Sequence, residues 1–147
     1  MTPKVIFTVG YEGRLIDEFI NRLKEFNITC LIDVREIPIS RKPGFSKTAL
    51  KEKAESEHIS YFHLRALGSP SMIRHRLKED HDYECFFRAY GDYLENNTNV
   101  LNEAYAIVQS GVSCFMCFER EPENCHRWSV ANKIKEIDGN GLIIRHI

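Results

Sequence analysis

Two spacings of apolar residues alternate along this chain. Short apolar runs stand at Lys4 to Val9, Cys30 to Val34, Ile59 to Leu64, Val112 to Phe118 and Leu142 to Ile147, each the length of a strand. Between them, apolar residues return every three or four positions. Leu15, Ile16, Phe19, Ile20, Leu23 and Phe26 predict an amphipathic helix over Leu15 to Phe26. Ser46 is placed to cap a helix running to about Glu57. Phe86, Phe87, Tyr90 and Leu94 mark a further helix. Leu101, Ala104, Tyr105 and Val108 mark the next, with Asn97 or Thr98 as its cap. Val130, Ala131, Ile134 and Ile137 mark the last, which Gly139 and Gly141 end. Gly68 to Asp82 is polar and carries Pro70. It reads as a long connection with a helical turn near Ser71 to Lys78.

Strands alternating with helices predict an α/β fold. The expected architecture is a single-domain three-layer α/β/α sandwich over residues 1–147, with a mostly parallel, Rossmann-like sheet of about five strands. In such a sheet the C-terminal ends of the strands share one edge, where ligands bind. Tyr11, Glu12 and Gly13 follow the first strand, and Asp33 and Arg35 end the second. His63 and Arg65 end the third, and Glu119 ends the fourth. Four separate segments thus deliver polar groups to one rim, which is stronger evidence for a site than any single motif.

Composition narrows the class without naming a function. The 147 residues suffice for one core, and 43% hydrophobic with 28% charged residues suits a globular protein. A net charge of −1 makes no global demand for nucleic acid or membrane. No apolar run approaches the roughly 20 residues that span a bilayer. Val5 to Val9 is too short for a signal-peptide core, so a cytoplasmic location is expected. Cys30, Cys85, Cys114, Cys117 and Cys125 form an odd set without framework spacing, which favours reduced thiols. Charge is uneven: Arg35 to Lys53 holds six Lys or Arg against Glu36 and Glu52, and Arg65, Arg74, Arg76 and Lys78 form a second basic stretch. Solvated surface is the simplest account of each stretch alone.

The most informative segment runs from Cys117 to Arg127, out of the fourth strand and into the last helix. Cys125, His126 and Arg127 fall in the first helical turn, where unpaired N–H groups and the helix dipole favour an anion or a thiolate. Cys125 is therefore either an activated nucleophile or a packed thiol beneath two binding residues. Cys114 and Cys117 match C-x-x-C, but three residues apart on a strand they face opposite sides. A zinc site from Cys117, Cys125 and His126, with His63 or His146, is the weaker alternative. Cys117 and Cys125 are eight residues apart, and Cys125 and His126 point about 100° apart on a helix. Asp33 is an acid–base group or a brace for Arg35 or Arg127. Gly10 to Gly13 lacks the full dinucleotide fingerprint and most simply forms a tight turn. Ser40 to Ser46 is a basic loop whose Phe45 either meets a ligand or tucks into the body. His58, His75 and His81 are expected at the surface, and Trp128 in the packing.

Taken in order, Gly10-Tyr11-Glu12-Gly13, Asp33-Val34-Arg35 with Pro38 and Ser40-Arg41, Pro43-Gly44-Phe45-Ser46, Cys117-Phe118-Glu119 and Cys125-His126-Arg127 resemble the family called domain of unknown function 488. The resemblance runs from Val5 to Ile147. It implies a compact bacterial or archaeal α/β domain, and it groups Glu12, Asp33, Arg35, Glu119, Cys125, His126 and Arg127 in one site. It brings no reaction, substrate or cofactor with it.

The functional expectation is an enzyme, a hydrolase or transferase, that binds an anionic, phosphate-bearing ligand such as a nucleotide or nucleic acid end at the C-terminal edge of the sheet. Asp33, Glu119, Cys125 and His126 are the expected catalytic groups. Tyr11, Glu12, Arg35, Arg41 and Arg127 are the expected ligand contacts, with the helix start near Asn124 beside them. No cofactor and no metal ligand are assigned, no membrane partner is expected, and oligomeric state is not specified. The competing readings are a non-catalytic nucleic-acid-binding module and a zinc-stabilised domain.

Overall fold

The computed structural model describes residues 4–121 and 125–147. In chain order the elements are β1 (Val5–Gly10), α1 (Ile16–Glu25), β2 (Cys30–Asp33), α2 (Lys47–Ser56), β3 (Ser60–His63), a 3₁₀ turn (Arg65–Leu67), α3 (Ser71–Asp80), α4 (Tyr83–Glu95), α5 (Thr98–Ser110), β4 (Ser113–Cys117), α6 (His126–Asp138) and β5 (Ile143–His146). The anion contact expected near Asn124 lies outside the described residues.

The five strands form one all-parallel sheet in the order β3-β2-β4-β1-β5. Side chains alternate between two apolar layers, as a pleated strand requires. Ile6, Ile32, Val34, Phe115 and Cys117 pack with Tyr90 and Leu94 of α4, Leu101 and Val108 of α5, and Val130 and Ile134 of α6. Phe7, Val9, Leu31, Cys114 and Met116 pack with Phe19 and Leu23 of α1 and Leu50 and Ala54 of α2. The expected α/β/α sandwich with a Rossmann-like sheet is what the chain forms. Cys114 and Cys117 do occupy opposite layers. Among the described residues, no helix is long and apolar enough to cross a membrane.

Local chemistry sets the helix ends. Asp82 caps α4 by accepting the Cys85 N–H at 3.0 Å. Gly139 ends α6 in the left-handed region at φ 65°, which glycine enters without a side-chain penalty. Ser46 does stand at the N-cap of α2, yet its hydroxyl donates to the Ser40 carbonyl at 3.1 Å and closes the Ser40–Ser46 loop instead.

Two expectations are corrected. The Gly68–Asp82 segment is not a long connection: it contains α3, a full ten-residue helix. None of its residues is buried and Met72 is 84% exposed, so α3 lacks the apolar stripe that reveals a helix. Trp128 is 43% exposed rather than packed, with its ring edge-on to Phe87.

Candidate functional site

Strand order explains how the rim is assembled. β4 is central, with β2 on one side and β1 on the other, so the segments after β1, β2 and β4 are neighbours. Ladder bonding continues past the strand ends: Tyr11 N–H donates to the Cys117 carbonyl at 3.1 Å, Glu12 N–H to Phe118 at 2.9 Å and Val34 N–H to Met116 at 3.1 Å. Gly10 is required by this approach, because a Cβ there would collide with the backbone carbonyl of Glu119. At Gly68 a Cβ would collide with the backbone of Glu36, so the segment before α3 is equally pressed against the end of β2.

On the α1/α2 side of the sheet, Asp33 is fully buried and fully used. Its Oδ1 accepts the Arg35 backbone N–H at 3.1 Å and Nε at 2.9 Å. Its Oδ2 accepts Arg35 Nη2 at 2.7 Å and the Tyr61 hydroxyl at 2.5 Å. Arg35 spends its remaining nitrogen, Nη1, on the Phe45 carbonyl at 2.7 Å and the Tyr11 hydroxyl at 3.4 Å. Tyr11 stacks on the buried Phe45 ring at 4.5 Å between centroids. Burial lowers the Arg35 pKa, but the Asp33 carboxylate outweighs it and the net shift is upward. Burial and then Asp33 raise that of Tyr61. With four donors on two oxygens, Asp33 keeps no lone pair for a substrate and serves as the brace of Arg35.

On the α6 side lies a second cluster of different character. Cys117 ends β4 and Cys125 is the N-cap of α6; both are buried and their sulfurs are bonded as a disulfide. This corrects the expectation that all the thiols are reduced: Cys30, Cys85 and Cys114 are free. The spacing of eight residues does not hold the two sulfurs apart, because the start of α6 packs against the end of β4. Arg127 ties the two together: Nη1 donates to the Glu119 carbonyl and Nη2 to the Arg120 carbonyl at 3.1 Å. The same guanidinium lies 3.3 Å from Cys117 Sγ, and the Arg127 N–H lies 3.5 Å from Cys125 Sγ. Arg127 is 1% exposed, and burial lowers its pKa. His126 Nε2 is 2.7 Å from the Val34 carbonyl, which fixes the proton on Nε2 and leaves the Nδ1 lone pair toward Cys125 Sγ at 3.9 Å. Burial lowers its pKa to about 4, so the ring is neutral near pH 7. Glu119 Oε2 lies 3.6 Å from Cys117 Sγ, and burial raises its carboxyl above the usual range.

Above both clusters opens a cleft of about 690 Å³. Tyr11, Arg35, Cys117, Glu119 and His126 contribute to it from the sheet edge. Its far wall is α3 and its C-cap, which bring Arg74, Lys78 and His81. Glu36 holds that wall, accepting the Ser71 hydroxyl at 2.7 Å and Arg74 Nη2 at 3.0 Å.

The family described as domain of unknown function DUF488 matches residues 15–134 of the chain. The protein belongs to the DUF488 family. No curated protein and no solved structure matches it. Within this DUF488 domain the matched range holds Asp33, Arg35, Glu119, Cys125, His126 and Arg127, while Tyr11 and Glu12 precede it.

The DUF488 fold therefore gathers Tyr11, Arg35, Glu119, Cys125, His126 and Arg127 at one rim but gives them different work. Asp33 braces from the far side of the sheet. Glu12 is exposed and accepts the Arg120 N–H at 3.0 Å, fastening the loop after β4. Arg41 is exposed and does not line the cleft. Phe45 is tucked into the core. Arg35 and Arg127, expected to hold a ligand, are buried among protein acceptors, and Arg35 also lines the cleft. Sequence reasoning missed Tyr61, and it read Arg74 and Lys78 only as part of a basic stretch, most simply solvated surface, and not as cleft residues. For Tyr61 a signal existed: it sits two residues before the end of β3, on the face that carries Leu31 and Asp33.

Proposed function

We propose that this DUF488 protein is an enzyme, a hydrolase or transferase, that takes a phosphate-bearing small molecule into the cleft at the C-terminal edge of the sheet. The observation that carries the reading is the cation-bearing wall of α3 standing opposite the Glu119–His126 cluster. Lys78, backed by the Glu36-paired Arg74, supplies the positive charge for an anion, whereas Arg35 and Arg127 are buried among protein acceptors and Arg41 does not line the cleft. Lys78 is exposed and makes no ion pair among the described residues, so its charge is available at the cleft mouth. The placement agrees with the general position of ligand sites in parallel α/β sheets. Neutral His126 can accept a proton on Nδ1, and Glu119 can donate or accept one nearby.

The test is thermal unfolding across a panel of inorganic phosphate, nucleoside monophosphates and nucleoside diphosphates. A ligand present at 100 times its Kd stabilises by about 2.7 kcal/mol, which corresponds to a midpoint rise of roughly 5–10 °C for a chain of this size. Lys78→Ala and Arg74→Gln should each lower the apparent affinity. If no anion in the panel shifts the midpoint, or both variants respond like the parent, the reading is wrong.

A further inference from the structure

We propose that the reduced protein binds one divalent transition-metal ion, zinc being the best chemical match, through Cys117 Sγ, Cys125 Sγ, His126 Nδ1 and a Glu119 carboxylate oxygen. One ligand atom from each of these four residues lies within 4.8 Å of all the others. A tetrahedral zinc with bonds of about 2.0–2.3 Å holds its ligand atoms about 3.3–3.8 Å apart, so small side-chain adjustments suffice. Two thiolates, one imidazole and one carboxylate form a donor set that suits zinc better than magnesium or calcium.

The surroundings support an ion in three ways. His126 already makes the outer hydrogen bond a metal-bound imidazole needs, with Nε2 on the Val34 carbonyl at 2.7 Å and Nδ1 left to coordinate. Each sulfur has an N–H donor: Arg127 Nη1 at 3.3 Å from Cys117 and the Arg127 backbone N–H at 3.5 Å from Cys125. These contacts stabilise thiolates rather than thiols. Charge also closes. Two thiolates and one carboxylate balance a divalent cation together with the Arg127 guanidinium, which has no carboxylate within ion-pair distance among the described residues.

The disulfide and the metal are alternative states of the same two sulfurs. The Cα atoms of Cys117 and Cys125 stand 7.4 Å apart, wider than the about 4.4–6.8 Å usual for bridged cysteines. With the Cα atoms that far apart, the sulfurs can part by side-chain rotation once the bond between them is reduced. Passing from the metal-bound dithiolate to the disulfide removes two electrons and releases the ion; glutathione disulfide takes the two electrons, and two protons from water, and leaves as two glutathione thiols. Metal binding needs no ligand in the cleft, but it claims His126 Nδ1 and Glu119, so with the ion bound these groups are ligands and the proton-carrying role belongs to the metal-free state.

Cobalt(II) is the probe. Metal-free protein, reduced with a phosphine under anaerobic conditions, is titrated with cobalt(II) and then with zinc. One equivalent should bind, giving intense visible bands of tetrahedral cobalt and a near-ultraviolet thiolate-to-cobalt band, both bleached by zinc. Cys117→Ser and Cys125→Ser should each weaken binding at least about tenfold and diminish the thiolate band. Because Cys125 caps α6, the partly exposed Glu119→Gln serves as a variant less prone to misfolding; it should weaken binding about tenfold with an unchanged far-ultraviolet spectrum. Protein oxidised with glutathione disulfide should bind none. Absence of cobalt binding by the reduced parent, an octahedral spectrum without the thiolate band, or parent-like binding by Glu119→Gln or by the oxidised protein would overturn the proposal.

Discussion

The two polar clusters at the C-terminal edge of the sheet lie on opposite faces of it and differ in one respect. Around Asp33, every acceptor meets a donor: two carboxylate oxygens receive four hydrogen bonds, and Arg35 has no nitrogen left over. Around Cys117 and Cys125, the pairing is incomplete. Arg127 Nε is buried with no hydrogen-bond partner among the described residues, and His126 Nδ1 has only a sulfur at 3.9 Å. A closed network rigidifies, and an open one can still take a ligand. The density of polar residues at a sheet edge therefore does not distinguish support from site, whereas the balance of donors and acceptors does.

The sharpest way to break this comparison is to remove a charge from each side. Asp33→Asn leaves the Arg35 guanidinium buried without its carboxylate, and loss of one partner of a buried pair costs about 3–5 kcal/mol. Urea unfolding of the metal-free protein should show a loss in that range. Glu119→Gln should change stability by no more than about 0.5 kcal/mol, because burial already disfavours the charged carboxylate it replaces. Equal losses for the two variants would mean that both clusters are structural braces.

A finer cut removes one hydrogen bond from the closed network. Tyr61→Phe deletes the hydroxyl that donates to Asp33 Oδ2 and leaves the ring in place. Hydrogen bonds to a charged group contribute about 1.5–3 kcal/mol, so the unfolding midpoint should fall accordingly. Cobalt binding by the reduced variant should match the parent, since Tyr61 reaches only the Asp33 side. A loss of metal affinity as large as the loss of stability would show that the sheet couples its two faces.

These contrasts also show what the sequence could reveal. The five strands, α1 and the shared rim were legible, because their apolar spacing matches a strand or helix period and a parallel sheet places all C-terminal strand ends together. α3 was hidden, since it buries no side chain and so carries no apolar stripe. The cleft's far wall went with it: Arg74 and Lys78 stood out as basic residues, but without the helix nothing placed them at the rim. The role of Asp33 was open because a carboxylate beside an arginine reads equally as brace or acid, and only Tyr61, 28 residues away, completes its shell. The meeting of Cys117 and Cys125 goes with the packing of α6 on β4 and with Arg127 bonding the Glu119 and Arg120 carbonyls, tertiary contacts that residue spacing does not encode.

The smallest expected effect concerns the wall itself, where pairing is neither closed nor open but exposed. Burial would raise the Glu36 carboxyl, yet the Ser71 hydroxyl and the Arg74 guanidinium outweigh it and hold the pKa below the usual 4.5. A carboxyl lowered on folding adds stability above its unfolded pKa and loses it as pH falls through the folded one. The pair is 35% and 20% exposed, so its contribution is limited to about 1 kcal/mol or less. Global unfolding will scarcely register that, but α3 has no buried residue to hold it otherwise. Amide exchange in α3 should therefore accelerate as pH falls below about 4.5, beyond the intrinsic change in exchange chemistry, while exchange in β4 does not. Glu36→Gln should weaken the acid response of α3 and make its opening faster than in the parent at neutral pH, with the exposed Arg76–Asp80 pair left to titrate within the helix. An α3 that opens no faster in acid, or that responds to acid equally in Glu36→Gln, would show that the wall is held by something other than this pair.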